Sequence, residues 1–215
     1  MQQNLSVKQN VSLKKYHTYG INATARFLVE VTSILTLKEA LQYTKEHSLS
    51  YILIGKGSNI LFRDNYFNGL VIVNKMKDIQ IEGERVIAGS GVNMSRLARE
   101  TAKLKLSGFE PLVGIPGSVG GCIWMNAGAN LTEISKYLVN LDVLEESGLI
   151  KTLTKEECGF CYRYSKFHEN NEIILQATFQ LEKKADAPFE LEKHWKHRFQ
   201  TQPVDKKNSG CIFKV

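Results

Sequence analysis

The sequence contains no stretch approaching the roughly 20 consecutive apolar residues that span a bilayer, so no membrane helix is expected. Nor does its beginning read as a secretory leader. Met1-Gln2-Gln3-Asn4 is polar and leads into no apolar run, and a cytoplasmic protein is the expectation. The formal charge is +6, yet the lysines are scattered, with neither a long basic run nor an RNA-binding aromatic signature. That removes the main sign of nucleic-acid binding and leaves small anionic ligands, dinucleotides among them, as partners for a mild basic excess. Only four prolines occur, and no repeat or low-complexity tract. With 43% hydrophobic and 23% charged residues, a core-forming chain is expected rather than a disordered one.

Cysteine is scarce as well, at Cys122, Cys158, Cys161 and Cys211. The even count permits disulfides, but without a leader reduced thiols are expected. Cys158-Gly159-Phe160-Cys161 has the C-x-x-C form. Zinc takes about four ligands, however, and no second C-x-x-C or C-x-x-H pair is present. His194 and His197 lie on a helix-like stretch around Trp195. Ordinary buried or half-buried thiols are the expected reading, and no metal site is assigned.

What is present reads as α+β. Phe27 to Val31 is a short apolar strand, and Thr36-Leu37-Lys38-Glu39 has the form of a capping box that opens a helix. Leu37, Ala40, Leu41 and Thr44 then share one helical face, and the helix ends near His47. Tyr51 to Ile54 is a new strand, which completes a β-α-β opening. From Gly69 the character changes, with short β-like runs at Leu70 to Val73, Ile79 to Ile81 and Val86 to Ala88. A second helix is expected from Asn93, with Met94, Leu97, Ala98, Thr101 and Leu104 inward and Gly108 placed to stop it. Tyr137 to Glu145 and Leu149 to Leu153 flank Glu146-Ser147-Gly148 as a hairpin. Ile173 to Leu181 is another strand, and Phe189 to Gln200 is helical.

Two glycine loops carry the functional signal. The first, Gly55-Lys56-Gly57-Ser58-Asn59-Ile60-Leu61, directly follows a strand. Glycines permit positive φ and let backbone N–H groups approach an anion, while Ser58 and Asn59 add side-chain donors. A Rossmann fingerprint fails because Ile60 stands at its third glycine, and a Walker A loop fails because Ser50 stands at its first. Taken alone, this loop leaves a plain glycine turn open. The second, Gly114-Ile115-Pro116-Gly117-Ser118-Val119-Gly120-Gly121, packs four glycines and a proline into eight residues. Its chain-entropy cost suits backbone wrapped around a pyrophosphate, with Ser118 capping the apolar segment that follows. Met125-Asn126-Ala127-Gly128-Ala129 comes next. Two such loops outside a Rossmann pattern suggest a dinucleotide bound across two subdomains.

These segments resemble the MurB family. Gly55 to Leu61 matches its G-x-G-S-N-x-L motif, and Gly108-Phe109-Glu110 with Gly114 to Gly121 and Met125 to Ala129 resembles its longest signature. Tyr162-Arg163-Tyr164-Ser165-Lys166-Phe167 matches Y-R-x-S-x-F. Gln202-Pro203 and Ser209-Gly210-Cys211-Ile212-Phe213-Lys214 match the start of its substrate-domain motif. The resemblance runs from about Tyr16 to Lys214. It implies a two-subdomain FAD-binding fold of the vanillyl-alcohol-oxidase/MurB type, with NADPH as co-substrate and a UDP-sugar, UDP-N-acetylglucosamine enolpyruvate, reduced to UDP-N-acetylmuramate. A monomer is expected. The implied FAD contacts are Gly55, Lys56, Gly57, Ser58, Asn59, Ile60, Leu61, Gly114, Ile115, Pro116, Gly117, Ser118, Gly120, Gly121, Asn126 and Gly128. Arg163 corresponds to the arginine that stabilises the anionic intermediate, and Cys211 stands where the family usually has a serine proton donor.

The implied organisation is a small FAD-binding subdomain over 1–68, a larger one over 69–185, and the start of a substrate-binding domain over 186–215. The family pattern continues beyond Lys214-Val215, so a C-terminally truncated member is the expectation. Catalytic completeness is then open, and an FAD-binding module without reductase turnover is the alternative. Glu110 and Glu133 belong to the flavin half and are not assumed to replace the family's C-terminal glutamate.

Overall fold

Ser33 decides where the first helix begins. In the computed structural model, which describes residues 5–203, its side chain accepts a hydrogen bond from the Thr36 backbone N–H. The Ser33 N–H donates in turn to Thr36 Oγ1 at 3.1 Å. This reciprocal cap starts α1, Ile34–Glu46, three residues ahead of the expected Thr36-to-Glu39 box. Thr36 is therefore the inner partner of the cap and not its first residue. The inward stripe is Leu37, Ala40 and Thr44, as the spacing predicts, with Leu41 half-buried.

Around α1 lie β1, Lys8–Ser12; β2, Thr24–Val31; β3, Tyr51–Ile54; and β4, Tyr66–Asn74. They form a sheet in the order β1-β2-β4-β3, with β4 parallel to both β2 and β3 and β1 antiparallel to β2. The central strand is buried from Gly69 to Asn74, which explains its unbroken apolar run. Leu13, Ala25, Leu28, Ile54, Val71 and Val73 form the core of this unit. The expected division after residue 68 would cut β4. The chain instead divides after Met76. The strand β1 has no apolar alternation, so its sequence does not announce it.

The second unit, Lys77–Gln202, begins with β5, Ile79–Glu82, and β6, Arg85–Gly89. Then come α2, Met94–Lys103; β7, Leu106–Ser107; and α3, Val119–Trp124. A short hairpin follows, β8, Gly128–Ala129, with β9, Thr132–Glu133. The remaining elements are β10, Leu138–Leu144; β11, Ile150–Thr154; β12, Ile173–Gln180; β13, Glu182–Lys183; and α4, Ala187–Thr201. The main sheet is antiparallel in the order β11-β10-β12-β6-β5, and β13 pairs with β7.

Asn93 caps α2 by accepting from the Arg96 N–H at 2.9 Å, as expected. The helix stops at Leu104, which is exposed, because Lys105 turns left-handed at φ 60. Gly108 is not the stop. It sits past β7 at φ 144, where a Cβ would press on Leu181 and Tyr137 at 2.8 Å. In α4, Ala187 and Leu191 join the core that holds Leu97, Phe109, Val119 and Phe179. Residues 187–201 therefore belong to the second unit, unlike the expected start of a separate domain at 186. Among the described residues no helix is long and apolar enough to cross a membrane.

Candidate functional site

In the first unit the loop after β3 is held from one side. Gly57 has φ +65, and a Cβ there would lie 2.0 Å from the Tyr16 carbonyl oxygen and 2.7 Å from His17 Cα. The Thr18 N–H donates to the Gly57 oxygen at 3.1 Å. Only glycine supplies both the left-handed conformation and the close approach. Among the described residues the N–H groups of Lys56, Gly57, Ser58 and Asn59 donate to no main-chain carbonyl. Consecutive unclaimed donors of this kind form a concavity for an anion. The buried His17 Nδ1 and Thr18 Oγ1 are also without partners among the described residues, while His17 Nε2 bonds the Ile21 oxygen at 3.0 Å. Neither residue stood out in the sequence, since a lone His-Thr pair carries no motif of its own.

In the second unit much of the glycine-dense loop is used by the chain itself. Ser118 caps α3 by accepting from the Gly121 N–H at 3.3 Å, the capping role expected from the sequence. The Gly120 N–H donates to the Ser90 oxygen at 2.8 Å, and a Cβ at Gly120 would lie 2.8 Å from Ser90 Cβ. The Gly117 oxygen accepts from Met94 N–H, and the Ile115 oxygen from Ser95 Oγ. At Gly114 a Cβ would fall 1.7 Å from Cδ of Arg198, whose guanidinium pKa is lowered by burial. The N–H groups of Gly117 and Ser118 donate to no carbonyl among the described residues.

Beyond α3, Asn126 and Arg163 come together although 37 positions separate them. Arg163 Nη2 donates to the Gly128 oxygen at 2.9 Å, and Nη1 donates to the Asn126 oxygen at 3.4 Å and lies 3.7 Å from Glu133 Oε1. Asn126 is fully buried. Its Nδ2 donates to Glu133 Oε2 at 2.8 Å and to the Cys161 oxygen at 3.0 Å, while its Oδ1 is buried without a partner among the described residues. Both residues are left-handed, Asn126 at φ 43 and Arg163 at φ 54. Arg163 occupies a tight turn closed by Cys161 and Tyr164, whose N–H and C=O groups exchange hydrogen bonds at 3.2 and 3.1 Å. An arginine in a conformation that favours glycine is a marker of a residue kept for its side chain.

Burial pushes the Cys122 thiol up to about 12 and the Cys158 thiol up to about 11, so both stay protonated and unreactive at neutral pH. Cys161 is exposed. Cys211 lies outside the described residues.

Residues 25–154, more than half of the chain, match the family described as FAD binding domain. Together with the α+β architecture, this defines the class: an FAD-dependent oxidoreductase with the two-subdomain fold of the vanillyl-alcohol-oxidase/MurB type. The fold also matches 6-hydroxy-D-nicotine oxidase from Arthrobacter nicotinovorans, with a TM-score of 0.62 at 16% identity over 85% of this chain and 43% of that one.

Closer relatives narrow the class. The UDP-N-acetylenolpyruvoylglucosamine reductase of Chlamydia pneumoniae is 37% identical over 209 residues, 97% of this chain and 69% of the relative. That of Protochlamydia amoebophila is 37% identical over 207 residues, 95% of this chain and 69% of the relative. The crystal structure of UDP-N-acetylenolpyruvylglucosamine reductase (MurB) from Thermus caldophilus matches with a TM-score of 0.82 at 28% identity, over 98% of this chain and 75% of that one. The chain belongs to the UDP-N-acetylenolpyruvoylglucosamine reductase family.

Proposed function

We propose that the chain binds FAD through Gly55–Leu61 in the first unit and through Gly114–Ser118, Gly120, Gly121, Asn126 and Gly128 in the second. We propose further that it serves the NADPH-dependent reduction of UDP-N-acetylglucosamine enolpyruvate to UDP-N-acetylmuramate, a step of peptidoglycan precursor synthesis. The residues present suit FAD. Lys56 to Asn59 supply four unclaimed N–H groups at a glycine that only a bare backbone can occupy. Among the described residues His17 Nδ1, Thr18 Oγ1 and Asn126 Oδ1 are buried polar atoms without partners, a condition that costs stability. When bound, FAD would supply the redox chemistry, hydride transfer from NADPH to the enolpyruvyl double bond.

The chain's own task is the charge. Hydride addition to one alkene carbon leaves negative charge beside the substrate carboxylate, and a fixed cation lowers that barrier. Arg163 fills this role in the proposal. The single observation that carries it is its guanidinium, held on the Gly128 and Asn126 carbonyls while its Nε–H stays unclaimed among the described residues. Protonation of the adjacent carbon falls to Cys211, since a thiol with a reference pKa of about 8.5 is a more acidic donor than a hydroxyl.

The second reading is an FAD-binding chain without turnover; the chain spans 69% to 72% of the length of the curated relatives. One experiment separates the two. The purified chain is mixed with FAD, passed through gel filtration, and assayed for NADPH oxidation with and without the enolpyruvyl substrate. A retained, perturbed flavin spectrum with substrate-dependent oxidation is expected. Retained flavin without that oxidation would leave the second reading, and a colourless folded protein would sink the assignment of both glycine loops.

A further inference from the structure

We infer that Glu133 is a positioning residue for Arg163, acting through Asn126 and made possible by the glycine at 128. The inference rests on the reading of Arg163 given above and assigns a role to a carboxylate that the proposed mechanism does not use.

The hairpin of β8 and β9 is closed by Asn130 at φ 51 and Leu131 at φ 61, so both central residues of its two-residue turn are left-handed. This is the geometry of the tightest antiparallel turn. A leucine there is conformationally costly and fully exposed, so its side chain contributes nothing to packing. What the hairpin achieves is register. Glu133 is placed directly opposite Gly128. A Cβ at Gly128 would stand 2.9 Å from Glu133 Cγ and 3.2 Å from Arg163 Nη1, so the two side chains meet over the position a side chain would fill.

The Glu133 carboxylate then does two things. Oε2 accepts from Asn126 Nδ2 at 2.8 Å, which fixes the amide, because a flipped amide would set oxygen against oxygen. Oε1 lies 3.7 Å from Arg163 Nη1 on the guanidinium edge that faces the Asn126 carbonyl. Two left-handed residues, Asn126 and Arg163, are thereby tied to one carboxylate. With Nη1 set between the Asn126 carbonyl and Glu133 and one Nη2 hydrogen on the Gly128 carbonyl, Nε–H and the second Nη2 hydrogen are the donors left for a ligand among the described residues. Glu133 also offsets part of the arginine's charge, which moderates its attraction for a bound carboxylate.

The test compares wild type, Glu133→Gln, Glu133→Asp and Arg163→Lys in the FAD-reconstituted chain. The first readout is the ¹H–¹⁵N signal of Arg163 Nε–H, assigned by its loss in Arg163→Lys. The second is the rate at which the enolpyruvyl substrate reoxidises pre-reduced flavin. Glu133→Gln is expected to shift or broaden the Arg163 signal. It should slow reoxidation about tenfold at saturating substrate, equivalent to ~1.4 kcal/mol of barrier, with half-saturation unchanged or lower. Glu133→Asp should recover part of both. A general loosening of the site would raise half-saturation instead. A wild-type signal and rate in Glu133→Gln would overturn the inference. If Arg163→Lys leaves the rate unchanged, or wild type shows no reoxidation, the proposed reaction role fails on its own, and the Arg163 signal still decides whether Glu133 positions it.

Discussion

Two glycine-rich regions, one in each unit, share a composition and differ in what they use it for. After β3, Gly57 presses on the Tyr16 backbone, and the backbone donors from Lys56 to Asn59 are left without carbonyl partners among the described residues. In the other unit, the side-chain space missing at Gly114, Gly120 and Gly128 is taken by Arg198, by Ser90, and by Glu133 with Arg163. The loop after β3 spends its glycine on presenting backbone donors. The region around α3 spends most of its glycines on letting other parts of the same unit come close. Glycine content alone thus does not say what approaches. The atoms that would meet a Cβ do.

The comparison breaks most easily at Gly57. An alanine there must hold φ +65, which costs about 1–2 kcal/mol, and must clear a backbone oxygen 2.0 Å from its Cβ. Backbone cannot swing aside as a side chain can, and overpacking adds about 1–3 kcal/mol. Gly57→Ala is expected to lower stability by about 3 kcal/mol in urea denaturation and to lose FAD on gel filtration. Unchanged flavin retention would mean that the shape of this loop does not matter to the cofactor.

Gly128→Ala comes next. Its Cβ would lie 2.5 Å from the Thr132 oxygen across the hairpin and would part Glu133 from Arg163. A loss of about 2 kcal/mol is expected, together with a displaced Arg163 Nε–H signal. If flavin retention falls further than in Gly57→Ala, Gly128 approaches the cofactor directly and the contrast between the two regions is weaker than drawn.

Much of this fold is legible in the sequence. The apolar face of α1, the Asn93 cap, the β10–β11 hairpin and the helix ending at Thr201 follow from spacing and cap chemistry. The departures share a cause, which is that local signals compete. Thr36-Leu37-Lys38-Glu39 has the form of a capping box, yet Thr36 is already bonded to Ser33 as the inner partner of an earlier cap. Gly108 has the marks of a helix stop because its packing against Leu181 and Tyr137 is non-local. The change in character near Gly69 suggests a unit boundary there, yet β4 is held between the preceding strand β3 and the more distant β2. The site divides in the same way. Its glycine motifs and the arginine stand out as residue types in a pattern, whereas the Glu133–Asn126–Arg163 contacts join positions whose sequence spacing says nothing of proximity.

Gly114→Ala sharpens the contrast from the other side. The conflict is with Cδ of Arg198, a flexible side chain that can move outward, so a loss of about 1 kcal/mol is expected. Arg198→Ala should remove most of that loss, because the two changes act on one contact. If the double variant is no better than Gly114→Ala alone, the constraint at Gly114 lies in its backbone or in a ligand and not in Arg198.

The smallest effect is expected at Gly148, in the turn between β10 and β11. It holds φ +85, and nothing lies within 4 Å of where its Cβ would stand. Gly148→Ala therefore carries the left-handed cost alone, about 1 kcal/mol, with flavin retention unchanged. Set beside Gly57→Ala, which shares the positive φ, it subtracts the conformational part and leaves the contact with Tyr16. If the two variants lose equal stability, close approach adds nothing at Gly57, and that glycine is there for its φ alone. If Gly57→Ala loses clearly more, the excess measures how tightly the loop is seated against the chain beneath it.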